Sequence, residues 1–160
     1  YNDFVKALLK GSLKEMNIYM NDVALATFSS FDTGKKPSEK SQPERFYHGF
    51  VLGLLVELRD RYQIRSNRES GYGRYDVMLT PVTEVDDAIV IEFKVHESDE
   101  EESLQDTVRT ALDQIKEKNY DAELLLQGIP ADRIRHYGFA FEGKKVLIGQ
   151  DEIQNVAVRR

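Results

Sequence analysis

Apolar and polar positions alternate along this chain in blocks that predict helices first and strands later. Phe4, Val5, Leu8 and Leu9 recur at one-turn spacing and predict a short helix near the start. Ser12 with Glu15 forms the capping pair expected to open a second helix, running through Ala26. Residues 29–42 are polar, contain Gly34 and Pro37, and read as a linker. Ser41, Pro43 and Glu44 then supply a cap, a proline near the first turn and a carboxylate at the positive helix end. They open a long third helix with an apolar face made by Phe46, Phe50, Leu54 and Leu58 beside Tyr47, Val51, Leu55 and Tyr62.

The pattern then changes period. Tyr62 to Ser66, Arg74 to Thr80 and Ala88 to Val95 are rich in strand-forming residues, with a turn at Gly71-Tyr72-Gly73. Ala88-Ile89-Val90-Ile91 is apolar throughout, which predicts a central strand covered on both faces. A helix is predicted from Ser103 to Lys118, carrying Leu104, Val108, Ala111, Leu112 and Ile115 on one stripe. Ile134 to Phe141 and Lys144 to Ile148 predict two closing strands joined by a tight turn at Glu142-Gly143. The expected fold class is therefore α/β: a central mixed sheet flanked by helices, preceded by a short helical segment.

Composition narrows what such a fold does. At 160 residues the chain suits one domain with a small appendage, and 41% of it is hydrophobic, enough for a core. No stretch approaches the roughly 18 to 20 apolar residues of a membrane span, and no leader-like segment is visible, so a cytoplasmic location is expected. There is no cysteine, which excludes disulfides, thiolate metal sites and a cysteine nucleophile. Any metal would be held by oxygen or imidazole ligands, which favours hard cations such as Mg²⁺. The net charge of −6 is unevenly spread. Residues 35–75 hold nine Lys/Arg against five Asp/Glu, and residues 84–106 hold ten Asp/Glu against one Lys. The run Asp99-Glu100-Glu101-Glu102 reads as a solvated loop or helix start.

The candidate chemistry lies at the end of the most apolar strand. Positions i and i+2 of a strand share a face, so Glu92 and Lys94 point one way and Phe93 the other. Asp76 lies on the preceding strand, and pairing of the two strands as a meander brings Asp76 and Glu92 together. Two adjoining carboxylates repel unless a cation neutralises them, and a divalent ion there binds a phosphate oxygen and activates water. Lys94 would orient that water and offset transition-state charge. Taken alone, an acid-x-lysine triplet is equally a cross-face ion pair at a strand end. The second copy, Glu142-Gly143-Lys144, reads as a solvated turn.

Several segments in the right order make the pattern specific. Residues 66–76 (SNRESGYGRYD), 89–95 (IVIEFKV) and 111–120 (ALDQIKEKNY) resemble the PD-(D/E)XK nuclease superfamily. More narrowly, the chain resembles the branch found C-terminal to bacterial AAA-ATPase-like domains. Residues 46–55 (FYHGFVLGLL) are similar to that branch's leading helix, and 137–146 (YGFAFEGKKV) to its closing strands. The resemblance implies a restriction-endonuclease-like αβββαβ core, Mg²⁺ or Mn²⁺ as cofactor, and phosphodiester hydrolysis in nucleic acid, with DNA expected first. Asp76 and Glu92 would be metal ligands and Lys94 the catalytic lysine. The leading helix would add Glu44 or His48 as a further ligand. Gln114 is expected at the site; relatives linked to helicases carry Tyr four positions after that Gln, whereas here Tyr120 follows six on. Arg74 and Arg68, with Gly73 allowing close backbone approach, are the nucleic-acid-binding candidates. A tyrosine stands before Asp76 where the family name has proline.

The expected organisation is a helical lead-in (1–30) joining a missing N-terminal domain, a linker (31–43), the nuclease-like domain (44–150) and a tail (151–160). The alternative to an enzyme is a catalytically silent nucleic-acid-binding or regulatory module coupled to the ATPase. A serine hydrolase is excluded by the lack of a Gly-x-Ser-x-Gly elbow.

Overall fold

In the computed structural model the described residues are 1–27, 41–71 and 73–151, with the side chains of 27, 41–43, 68–70 and 74 outside that description. The elements run α1 (Asp3–Lys10), α2 (Leu13–Thr27), α3 (Ser41–Leu55), β1 (Tyr62–Ser70), β2 (Gly73–Pro81), β3 (Ala88–Val95), α4 (Leu104–Glu117), α5 (Ala122–Leu126), β4 (Ile134–Glu142) and β5 (Lys145–Gln150). One five-stranded sheet has the order β1-β2-β3-β4-β5. Its first three strands form an antiparallel meander, β4 returns parallel to β3 after α4 and α5, and β5 closes as a hairpin. The mixed α/β architecture and the three-strand, helix, two-strand order match the sequence expectation.

Local chemistry explains the boundaries. Asn2 caps α1 by accepting the Val5 N–H at 2.8 Å, and Gly11, at φ +74°, ends it. Ser103 and Asp106 form a complete capping box at the start of α4. The third helix is shorter than its apolar pattern implies. It ends at Leu55, a 3₁₀ turn covers Val56–Leu58, and Tyr62 already belongs to β1. With five residues, α5 is too short to show a period in the sequence.

Strand period sorts the core into two layers. Ile89, Ile91 and Phe93 face α1, α2 and α3, packing with Phe4, Leu8, Met16, Met20, Tyr47 and Val51. Ala88 and Val90 face α4 and α5, packing with Met78, Ile115, Tyr120 and Leu124. The unbroken apolar run of β3 is thus the signature of cover on both sides. The ring of Tyr47 on α3 stacks on Phe141 with centroids 4.0 Å apart, fixing α3 across the sheet. Among the described residues no helix is long and apolar enough to cross a membrane.

The lead-in helices pack on this same core. Asn17 and Asn21, one turn apart on α2, reach the free edge of β5. Each gives and accepts one hydrogen bond, at 2.8–3.0 Å, with the backbone of Ile148 and Val146 respectively. The two amides stand where a further strand would pair.

Candidate active site

Strands β2 and β3 pair at Val77↔Ile91, Met78↔Val90 and Leu79↔Ile89, and the described pairing stops there. Beyond Val77 the regular alternation of β2 breaks: Tyr75 and Met78 pack on the α4 side, while Val77 and Leu79 pack on the α3 side. Opposite this point Asn67 of β1 has a φ of +52°, the left-handed region that asparagine tolerates. Asp76 sits at the break. Its Oδ2 accepts the backbone N–H of Phe93 at 2.7 Å, so a carboxylate replaces the strand partner that the ladder no longer supplies.

This gap lets groups from both layers reach the same carboxylates. Glu92 is 4% exposed, and its Oε2 is buried without a hydrogen-bond partner. Burial, then a hydrogen bond and charge repulsion from Asp76, push its pKa well above the ordinary carboxylate range. A hydrogen bond from Tyr120 opposes that rise, and the charge of Glu44 adds to it. Glu44, on the first turn of α3, is raised by burial and by Asp76, and lowered by Lys94. Glu44, Asp76, Glu92 and Lys94 therefore lie within electrostatic reach of one another, although three different elements carry them.

The α4 side contributes the second group. Gln114 Nε2 donates to the Tyr120 hydroxyl at 3.2 Å, and that hydroxyl in turn meets Glu92. In an unbroken helix a residue six positions on leaves the face of the first. Here α4 ends at Glu117, and Asn119 at φ +52° turns the chain back, so Tyr120 returns to the side of Gln114. In the sequence alone, the six-residue spacing from Gln114 puts Tyr120 in doubt. The only local signal was Asn119, a residue type that accepts left-handed backbone.

Of the remaining candidates, the surroundings of His48 and Gly73 are described. The His48 ring lies 5.4 Å from that of Phe93, whose side chain is on the layer away from Glu92, and its Nε2 is buried without a partner. Gly73 packs beside Lys118 and Tyr120: a Cβ there would stand 3.2 Å from the lysine side chain. The side chains of Arg68 and Arg74 are outside the described residues. In the acidic run, Asp99, Glu100 and Glu102 are exposed as expected, but Glu101 is buried. It accepts the Glu97 N–H at 3.1 Å and the Thr107 hydroxyl at 3.0 Å, bracing the turn after β3.

The donors fit a hard divalent cation. They are carboxylate oxygens, one of them buried and unpartnered, and a cation relieves the charge repulsion that, after burial, raises Glu92 and Glu44. Among the described residues no group of three or more Asp, Glu or His is already drawn together closely enough to hold one.

Over residues 42–151 the sequence matches the family model described as the PD-(D/E)XK nuclease superfamily, which is more than half of the chain. No curated protein matches the chain.

Proposed function

Because this chain belongs to the PD-(D/E)XK nuclease superfamily, we propose that it hydrolyses phosphodiester bonds in nucleic acid, DNA first, with Mg²⁺ or Mn²⁺ held by Asp76 and Glu92. Glu44 is the third carboxylate of this reading and Lys94 its catalytic lysine. The observation that carries it is the gathering of these four side chains at the break between β2 and β3, with an unpartnered buried oxygen on Glu92.

A bound divalent cation supplies Lewis acidity toward a phosphate oxygen and lowers the pKa of a coordinated water. The chain's own groups do the rest. The Phe93 N–H pins the Asp76 carboxylate against β3, so little freedom is lost when it engages the substrate-bearing centre. Lys94 shares the face of Glu92 and places a positive charge where negative charge grows on the phosphorus oxygens. Tyr120 and Gln114 orient Glu92 from behind. Arg68 and Arg74 are assigned to the substrate backbone, since a guanidinium grips phosphate through two hydrogen bonds. His48, packed on Phe93, is not assigned to the site in this reading. We read the domain as the C-terminal partner of an AAA-ATPase-like domain in a bacterial cytoplasm, on the strength of the segments at 46–55 and 137–146.

A catalytically silent binding module is the second reading. It is favoured by the absence, among the described residues, of a ready-made cluster of three ligands. Incubating the chain with single-stranded DNA, duplex DNA and RNA in Mg²⁺, Mn²⁺ or EDTA separates the two. Cleavage that requires the metal and disappears in Asp76→Ala and Lys94→Ala supports the nuclease. Nucleic-acid binding without cleavage under every condition supports the silent module. Equal cleavage by wild type and variants overturns the site.

A further inference from the structure

Behind the candidate site lies a buried ion cluster that the proposed chemistry leaves unused. His136 stands on β4, 6% exposed, in register with Val90 of β3. Its Nε2 lies 2.8 Å from both oxygens of Asp121, and its Nδ1 lies 3.2 Å from Oδ2 of Asp151. The other oxygen of Asp151 meets Lys116 Nζ at 3.3 Å. The charged groups facing the imidazole are therefore Asp121 from the turn after α4, Asp151 from the end of β5, and Lys116 of α4 through Asp151.

Carboxylates stand at both ring nitrogens, and only the doubly protonated imidazole donates to both. A neutral ring has one N–H, so it releases either Asp121 or Asp151. The direction of the His136 pKa agrees: burial pulls it down, but the bonds and charges of Asp121 and Asp151 outweigh this and raise it above the ordinary histidine value.

What His136 holds is the residue next to Tyr120. The turn from Lys118 to Asp121 leaves α4 through Asn119 in left-handed backbone, and Asp121 is its last residue before α5. Tyr120 carries the hydroxyl that bonds Gln114 and Glu92. We propose that His136, in its imidazolium form, is a positioning residue for the candidate site: it anchors the turn at Asp121 and thereby the Tyr120 hydroxyl that orients Glu92. Loss of the His136 proton removes the charge that attracts Asp121, whichever ring nitrogen keeps its hydrogen, and so loosens that turn and Glu92. The inference rests on the reading of Glu92 as a metal ligand only for its effect on metal binding. The coupling of His136 to Tyr120 stands apart from it.

The test uses the intact chain labelled for aromatic NMR. The His136 imidazole is titrated while the Tyr120 ring signals are followed without metal. The expected result is a His136 midpoint above the ordinary histidine range, with the Tyr120 signals moving through the same midpoint. In His136→Gln that step vanishes from Tyr120. Calorimetric Mn²⁺ affinity at fixed pH is then expected to fall about 10- to 100-fold, as when a partner behind a metal ligand is removed. Tyr120 signals that stay still while His136 titrates overturn the proposal, as does unchanged Mn²⁺ affinity in a folded His136→Gln. If that variant does not fold, the wild-type titration alone decides. A wild-type chain that binds no Mn²⁺ counts against the metal site, and the Tyr120 signals still judge the positioning role.

Discussion

The side chain of Asp76 accepts the backbone N–H of Phe93 at 2.7 Å, so one carboxylate belongs both to the ladder between β2 and β3 and to the candidate site. That double membership predicts two separable losses. Asp76→Ala leaves a part-buried N–H unsatisfied and is expected to cost about 1 to 3 kcal/mol of stability. It is also expected to abolish metal binding. Asp76→Asn keeps an acceptor for Phe93 and should recover most of the stability but not the metal. Denaturant midpoints beside Mn²⁺ calorimetry check both.

Glu92 predicts a stability gain from an inactivating change. Its folded pKa is raised by burial and Asp76, so its contribution is intact below about pH 4.5 and is lost progressively as pH rises toward the folded value. Glu92→Gln stays neutral and should stabilise the metal-free chain at pH 7 by about 1 to 3 kcal/mol, growing with pH. Added Mg²⁺ should raise the melting temperature of the wild type and not of the variant. Wild-type metal binding should release protons and strengthen as pH rises, which calorimetry in buffers of different ionisation enthalpy measures. A variant no more stable than wild type at pH 7 would remove the case for strain at Glu92.

The β5 edge predicts a defined cost for removing its cover. Asn17→Ala or Asn21→Ala strips two hydrogen bonds each from Ile148 or Val146, with an expected loss of about 1 to 3 kcal/mol apiece. The double variant should expose a pairing edge and aggregate at concentrations where wild type stays monodisperse. Light scattering after thermal challenge reads this directly.

Gly71 predicts intolerance to any side chain. Its φ is +59°, and an added Cβ would collide with the carbonyl oxygens of Lys118 and Asn119. Left-handed backbone alone costs about 1 to 2 kcal/mol for Ala. Gly71→Ala should lower the melting temperature by about 3 °C or more. It should also shift the Tyr120 signals, because the hairpin tip presses on the turn that carries Tyr120.

The sequence by itself determined the layers, the strand order around Glu92 and Lys94, and the superfamily. The layers and strands depend on residue period, which reads directly in the apolar run of β3 and the stripe of α4, and the superfamily on the resemblance of several segments in the right order. It also pointed to Glu44 in the third helix, though leaving His48 as an equal choice. Tertiary structure decided what rests on residues far apart in the chain. It brought Glu44 within electrostatic reach of Asp76 and Glu92 and set the His48 ring against Phe93, because helix phase against the sheet depends on how Tyr47 seats on Phe141. It brought Tyr120 beside Gln114 and Glu92, because a helix end and one left-handed residue override the spacing rule. It set the first two helices on the core, because the amides of Asn17 and Asn21 become strand partners only once β5 lies beside them. His136 looked unremarkable until folding enclosed it between Asp121 and Asp151, and only in that enclosure does its charge acquire a structural task.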